Sequence, residues 1–221
     1  MQSAAPDANL EEYYARRANE YERIYAKPER QADLARLRET LPSLLDGRRI
    51  LEIACGTGYW TRFVASRAAS ILATDVNEEV LALARRKDYA RGNVAFARFD
   101  VYSGDSLPGP FDAGLAAFWW SHVPRQELER FVEAFHRHLE LDARVVLVDN
   151  RYVEGSSTPL TRRDAHGNTY QTRTLDDGSR YEVLKNIPDG SEMRGALGAR
   201  ARDFDFVELE YFWYASYRVV L

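Results

Sequence analysis

At 221 residues, with a net charge of −4 and a pI near 5.7, the chain has the size of one domain and lacks the basic excess that a nucleic-acid binder needs. Its 45% hydrophobic and 29% charged residues are the balance of a globular protein with a sizeable core. The single cysteine, Cys55, excludes an internal disulfide and a cysteine-built zinc site. Sequence stretches long and apolar enough to span a membrane, ~20 residues, do not occur. Residues 1–9 carry neither the basic start nor the apolar stretch of a secretory signal, so a cytoplasmic protein is expected. Arg16-Arg17, Arg85-Arg86-Lys87 and Arg162-Arg163 are short and flanked by acids, and they read as solvated faces.

From Leu10 to Leu41, charged residues surround spaced aromatics, as in amphipathic helices. Tyr14, Ala18, Tyr21 and Tyr25 share one face, and Pro28 divides the stretch, with a second helix near Glu29 to Thr40. Residues 1–42 are thus expected to form a helical cap. Arg49 to Ala54 predicts a buried strand, followed by a glycine turn and a helix from about Thr57 to Ala68. Ser70 to Thr74 predicts the next strand, and Asn77 stands as N-cap of a helix over Glu78 to Arg86. Val94 to Phe99 is a third strand. Asp112 to Phe118 is a fourth, weakened by Ala113, Gly114 and Ala116. Pro124 opens a helix to about Leu139, in which His136 and His138 read as surface residues, and Arg144 to Val148 is a fifth strand. This alternation implies an open, mostly parallel α/β sheet with helices on both faces.

Residues 150–188 break the rhythm. Thr169 to Leu175 and Arg180 to Lys185 predict a hairpin across Asp176-Asp177-Gly178-Ser179, an insertion after the fifth strand. A short helix near Ser191 to Ala199 follows. Phe204 to Glu208 and Tyr211 to Val220 are joined so closely that they must pair antiparallel. The expectation is one domain over residues 1–221.

The chemistry centres on Gly56 and Gly58. A strand, a tight glycine turn and a helix bring backbone N–H groups up to a ligand, and a glycine has no side chain to block the approach. Alone, this is also the pattern of a turn that merely packs. Three acids add weight: Glu52 near the end of the first strand, Asp75 ending the second and Asp100 ending the third. Each could be a surface acid or a cap. Together they line the rim where open sheets bind ligands, with Asp75 placed for ribose hydroxyls and Asp100 for an adenine amine.

Leu51-Glu52-Ile53-Ala54-Cys55-Gly56-Thr57-Gly58 resembles the first motif of the class I S-adenosylmethionine (SAM)-dependent methyltransferases, of small-molecule type. Thr74-Asp75-Val76-Asn77 is similar to their ribose segment, Phe99-Asp100-Val101 to their adenine segment, and Phe111-Asp112-Ala113-Gly114 through Phe118 to their fourth-strand motif. The resemblance covers residues 48–150. It departs from the fullest glycine pattern at Ala54 and Tyr59. It implies a seven-stranded Rossmann-like sheet with an antiparallel last strand and SAM as cofactor, leaving S-adenosylhomocysteine (SAH). The implied cofactor site has Ala54, Gly56 and Gly58 at the methionine end, Asp75 on the ribose, and Asp100 and Val101 at the adenine with Val76 on its face. Glu52, Thr57, Phe118 and Tyr14 complete it.

Trp119-Trp120-Ser121-His122-Val123-Pro124 follows the fourth strand on the same rim and resembles a segment of small-molecule bacterial methyltransferases. His122 is a candidate general base, with a loop-fixing histidine as the structural alternative. Trp119, Trp120, Tyr21 and Tyr152 are candidate acceptor contacts, with core packing the competing reading for the tryptophans. No His/Asp/Glu spacing suggests a metal. The expected activity is methyl transfer to oxygen or nitrogen of a small metabolite by a monomer or homodimer, without nucleic-acid or membrane partners. An NAD(P)-dependent oxidoreductase is the alternative, disfavoured by Asp100 and the antiparallel end. A non-catalytic SAM-binding protein is the third reading.

Overall fold

The computed structural model describes residues 8–17 and 21–220. Ala18 and the Tyr21 side chain, both assigned above to an aromatic helix face, lie outside the described residues. In chain order the elements are α1 (Ala8–Arg17), α2 (Gln31–Leu44), β1 (Arg49–Ile53), α3 (Tyr59–Val64), β2 (Ser70–Asp75), α4 (Glu78–Ala84), β3 (Val94–Arg98) and β4 (Phe111–Ala117). They continue with α5 (Leu128–His136), β5 (Leu139–Asn150), β6 (Arg162–Arg163), β7 (Thr169–Thr174), β8 (Arg180–Leu184), α6 (Gly190–Leu197), β9 (Ala201–Glu208) and β10 (Phe212–Val219).

Seven strands form one sheet in the order β3-β2-β1-β4-β5-β10-β9, with β1 to β5 parallel and β10 antiparallel to both its neighbours. The order reverses between β1 and β4, which opens a crevice at the carboxyl ends of those strands. Both faces are covered. Leu34, Leu37 and Leu41 of α2 pack with Trp60 and Val64 of α3 on one side, and Phe131 and Phe135 of α5 with Met193 and Leu197 of α6 on the other. Burial on both faces explains why β1 and β4 read as near-continuous apolar runs.

The small residues of β4 have a packing cause. A Cβ at Gly114 would stand 2.7 Å from the Phe135 ring, so the bare position lets α5 lie close against the sheet. Strand β5 starts earlier than its Val-rich run suggests, because Leu139 already pairs with Phe111 before the chain bends at Asp142, whose φ is 68°. His136 is not a surface residue: it is 4% exposed and hydrogen-bonded to the Tyr217 hydroxyl at 2.9 Å, and burial pushes its pKa down to about 4. The charged flank of α5 hid an inward histidine opposite β10.

The insertion is a separate three-stranded sheet, β6-β7-β8. Helix α1 docks on it through Tyr13, 1% exposed, which meets Tyr181, Val183 and Leu175. Arg16 adds bonds to the Tyr181 hydroxyl at 2.6 Å and to Asp177 at 2.9 Å. The amino-terminal helix and the hairpin therefore meet above the carboxyl ends of the main sheet.

Candidate active site

Two adjoining cavities occupy that rim. The first is lined by the ends of β1 to β4: Ala54, Gly56 and Thr57; Asp75, Val76 and Asn77; Asp100 and Val101; and Phe118 and Trp119, with Tyr14 reaching over from α1. Its walls are mainly apolar, with carboxylates at intervals. Asp75 is fixed by its own surroundings: Oδ2 accepts the Gly56 N–H at 2.9 Å and Oδ1 accepts the Asn77 N–H at 2.9 Å. Two strand ends are thereby tied together, and the carboxylate is held in place before any ligand arrives. Asn77 occupies the cap position of α4 as expected, but its side chain makes no capping bond, and its own N–H is the one held by Asp75.

The glycines divide their roles. Gly56, with φ of 55°, borders the cavity, and a Cβ there would point into open space. Gly58 does not line the cavity. With φ of 73°, it is the position where a Cβ would stand 2.4 Å from the Tyr89 hydroxyl and 3.1 Å from the Ala84 Cβ, so it serves the packing of the loop on α4. Ala54 takes a left-handed φ of 50° where a glycine would be unstrained.

Glu52 also stands away from the cavity. It is 1% exposed, beneath the loop, with both carboxyl oxygens lacking hydrogen-bond partners among the described residues. Burial, with repulsion from Asp75, pushes its pKa up to about 8, so it is largely protonated at neutral pH. The expected direct contacts of Glu52 and Gly58 with the cofactor are thus revised: both support the loop from below. Thr57 lines the cavity and also donates to Glu22 at 2.6 Å, which joins the loop to the amino-terminal segment; Glu22 also pairs with Lys87.

The second cavity, about 290 Å³, lies between the amino-terminal segment and the insertion. Tyr14, Phe118 and His122 line both cavities and form the passage between them. Phe118 holds a left-handed φ of 61°, uncommon for a bulky residue. His122 is 6% exposed. Its Nδ1 lies 2.7 Å from the Leu184 carbonyl, which can only accept, so Nδ1 carries the proton. Nε2 is then an acceptor, and it takes the Tyr14 hydroxyl at 2.7 Å. Burial and the nearby Lys185 ammonium drive the pKa of His122 well below that of a free imidazole, leaving the ring neutral.

A buried ion pair supports this segment. Lys185, 3% exposed, donates to Asp149 at 2.7 Å and to the Ser121 hydroxyl at 2.6 Å, and Asp149, fully buried, accepts the Ser121 N–H at 3.1 Å. Burial lowers the pKa of Lys185, while the ammonium, outweighing the burial of Asp149, keeps that carboxyl ionised. Of the tryptophans, Trp119 lines the first cavity, whereas Trp120 is 2% exposed and set edge-on against Phe131. The single turn over residues 120–122 sends the two indoles to different sides, so Trp120 is a core residue and not an acceptor contact. Tyr152 lines the second cavity.

Sequence reasoning missed Lys185, Asp149 and the basic residues Arg17, Lys27, Arg30 and Arg173 of the second cavity. One signal was present. Tyr181, Val183 and Lys185 alternate at buried positions, so the lysine stands at an inward parity.

A methyltransferase domain family matches residues 50–142. Among curated proteins, the biotin biosynthesis bifunctional protein BioHC of Cellvibrio japonicus is 32% identical over 106 residues, 45% of this chain and 20% of that protein. The ubiquinone biosynthesis O-methyltransferase of Pseudomonas aeruginosa is 30% identical over 105 residues, 47% of this chain and 44% of that one. These matches span less than half the length of either relative. Among solved structures, DhpI in complex with SAM and HEP is similar over 99% of this chain and 100% of its own, at 28% identity and a TM-score of 0.77. Its complex with SAH gives a TM-score of 0.76. Residues 50–142 thus match a methyltransferase domain, and the fold over nearly the whole chain is similar to that of a structure holding SAM. The cavity suits that cofactor, since Asp75 presents a fixed carboxylate beside an apolar slot lined by Val76 and Val101.

Two outcomes test this construction. Replacing Lys185 by Met leaves Asp149 buried and unpaired, and should lower the unfolding free energy in urea by about 3–5 kcal/mol. Because the folded-state pKa of Glu52 is raised, the folded protein keeps a proton that the unfolded chain releases, and stability falls as pH rises from the usual carboxylate range towards about 8. Denaturation curves of Glu52→Gln should show a shallower fall over that window than those of the parent chain.

Proposed function

We propose that the protein transfers the methyl group of SAM to an oxygen or nitrogen of a small molecule held in the second cavity, with His122 as general base. The observation that carries this reading is the pair of cavities joined at Tyr14, Phe118 and His122. One cavity has the chemistry of a nucleoside site and the other is polar. The cofactor supplies a methyl group already activated on a sulfonium centre.

The cofactor residues are assigned by what lines the first cavity. Asp75 accepts the ribose hydroxyls, Asp100 and Val101 border the adenine with Val76 on its face, and Ala54, Gly56 and Thr57 receive the methionine end. Tyr14 and Phe118 close the site over the transferring group and exclude water from it. On the acceptor side, a proton leaving the nucleophile passes to the Tyr14 oxygen as Tyr14 gives its own proton to Nε2 of His122. The Leu184 carbonyl stabilises the imidazolium by holding its Nδ1–H. The 28%-identical DhpI complex, which holds SAM together with HEP, supports a small-molecule acceptor. The O-methyltransferase relatives favour oxygen as the methylated atom.

Calorimetry with SAH and with NADH tests the cofactor, and SAM turnover on a panel of hydroxy acids, phenols and amines tests the reaction. Saturable SAH binding and acceptor-dependent SAH release are expected. NADH binding in place of SAH would overturn the reading in favour of an oxidoreductase, and SAH binding without turnover across the panel would favour a non-catalytic SAM-binding protein. Asp75→Ala should weaken SAH binding by about 1.5–3 kcal/mol; unchanged affinity would remove Asp75 from the site. His122→Gln should keep SAH affinity and lower kcat by about a hundredfold or more, whereas equal kinetics would return His122 to a structural role.

A further inference from the structure

His122 is held from the insertion side by three residues in a row. Leu184, Lys185 and Asn186 pass alongside Ser121, His122 and Val123, and a bond crosses from each. The Leu184 carbonyl accepts the Nδ1–H of His122 at 2.7 Å, Lys185 donates to the Ser121 hydroxyl at 2.6 Å, and the Asn186 N–H donates to the Ser121 carbonyl at 2.8 Å. The Asn186 side chain adds a second tie, giving its amide N–H groups to the Val123 carbonyl at 3.1 Å and to Asn168 Oδ1 at 3.1 Å. Its own Oδ1 accepts the Thr169 N–H at 2.9 Å. A carbonyl on one side and an N–H on the other leave the amide a single orientation. Asn168 carries the tie onward, since its Oδ1 also accepts the Arg125 N–H at 2.8 Å.

Asn186 is buried and lines neither cavity of the site. Burying a primary amide costs free energy unless each of its polar groups finds a partner, and an apolar side chain would fill the same space without that cost. The amide supplies direction instead. It fixes where the backbone of residues 184–186 lies against that of residues 121–123, at the place where one carbonyl has to meet one ring nitrogen. If the two segments drift apart, Nδ1 loses its acceptor, and an imidazole without that partner favours the other tautomer, with the proton on Nε2. Nε2 could then no longer accept the Tyr14 hydroxyl.

The geometry points to Asn186 as a positioning residue of the methyl-transfer reaction: it holds the Leu184 carbonyl against Nδ1 of His122, so that Nε2 stays free to receive the proton relayed through Tyr14. This inference rests on the methyl-transfer reading with His122 as base. The partners of Asn186 are Ser121, Val123, Asn168 and Thr169, none of which lines the first cavity, so its effect is confined to the acceptor half.

The test reads tautomer and kinetics together. Nitrogen-15 NMR of the SAH-saturated protein at neutral pH, with His122 assigned by its loss in His122→Gln, should show a protonated Nδ1 and an unprotonated Nε2 in the parent chain. Asn186→Ala should shift His122 towards the Nε2–H form and lower kcat about tenfold, while SAH affinity stays within about twofold. Turnover is measured on the most active acceptor of the hydroxy-acid, phenol and amine panel. Asn186→Ser, which keeps a hydroxyl able to donate, should fall between the parent and Asn186→Ala, and it carries the comparison if Asn186→Ala does not fold. A parent His122 with its proton on Nε2, or variants that bind SAH and keep the parent's tautomer or its kcat, would overturn the inference and leave methyl transfer standing. Loss of SAH binding in both variants would make Asn186 a residue of the fold and overturn the inference equally. Failure of the parent to bind SAH, or SAH binding without turnover on any acceptor, would overturn the methyl-transfer reading and this inference with it.

Discussion

The second cavity and the turn bearing His122 depend on the buried pair of Lys185 with Asp149. Lys185 follows β8 of the insertion, Asp149 belongs to β5 of the main sheet, and both hold Ser121 in the turn before His122. Three segments that are distant in sequence are therefore locked at one point. A buried pair of this kind contributes little over an apolar substitute, but its loss leaves an isolated charge in the core, which makes the arrangement specific. Because β8 is fixed there, the Leu184 carbonyl meets Nδ1 of His122, and that contact decides which ring nitrogen faces the cavity.

The amino-terminal segment is attached differently. Arg16 to Asp177 and Arg23 to Asp176 are exposed pairs, which solvent screens and which contribute little. The Thr57–Glu22 bond ties the same segment to the cofactor loop. Buried Tyr13 and Tyr25 hold the segment as well, Tyr25 stacking on Tyr59 at 3.8 Å and accepting the Trp60 indole N–H at 3.2 Å. The cofactor half of the site has a more rigid basis, since Asp75 is bonded to Gly56 and Asn77 within the sheet's own loops.

Local signals in the chain determined the fold class, and they picked out residues that share one rim of the sheet. Ala54, Gly56, Thr57, Asp75, Val76, Asp100 and Val101 all line the first cavity because strand ends and the loops following them are contiguous in sequence, and the rim of a parallel sheet collects them. The antiparallel pairing of β9 with β10 was legible because so short a connection, three residues in the structure, allows no other pairing. Tertiary structure alone decided that Glu52 and Gly58 lie under the loop, that Trp119 and Trp120 part company, and that His136 turns inward. It also decided the second cavity. Its cations stand on five separate segments, each ordinary by itself, and only the folding of α1 and the insertion over the sheet brings their charges together. Periodicity reports which face of an element is buried, whereas an electrostatic site is a sum over elements whose relative placement no local pattern encodes.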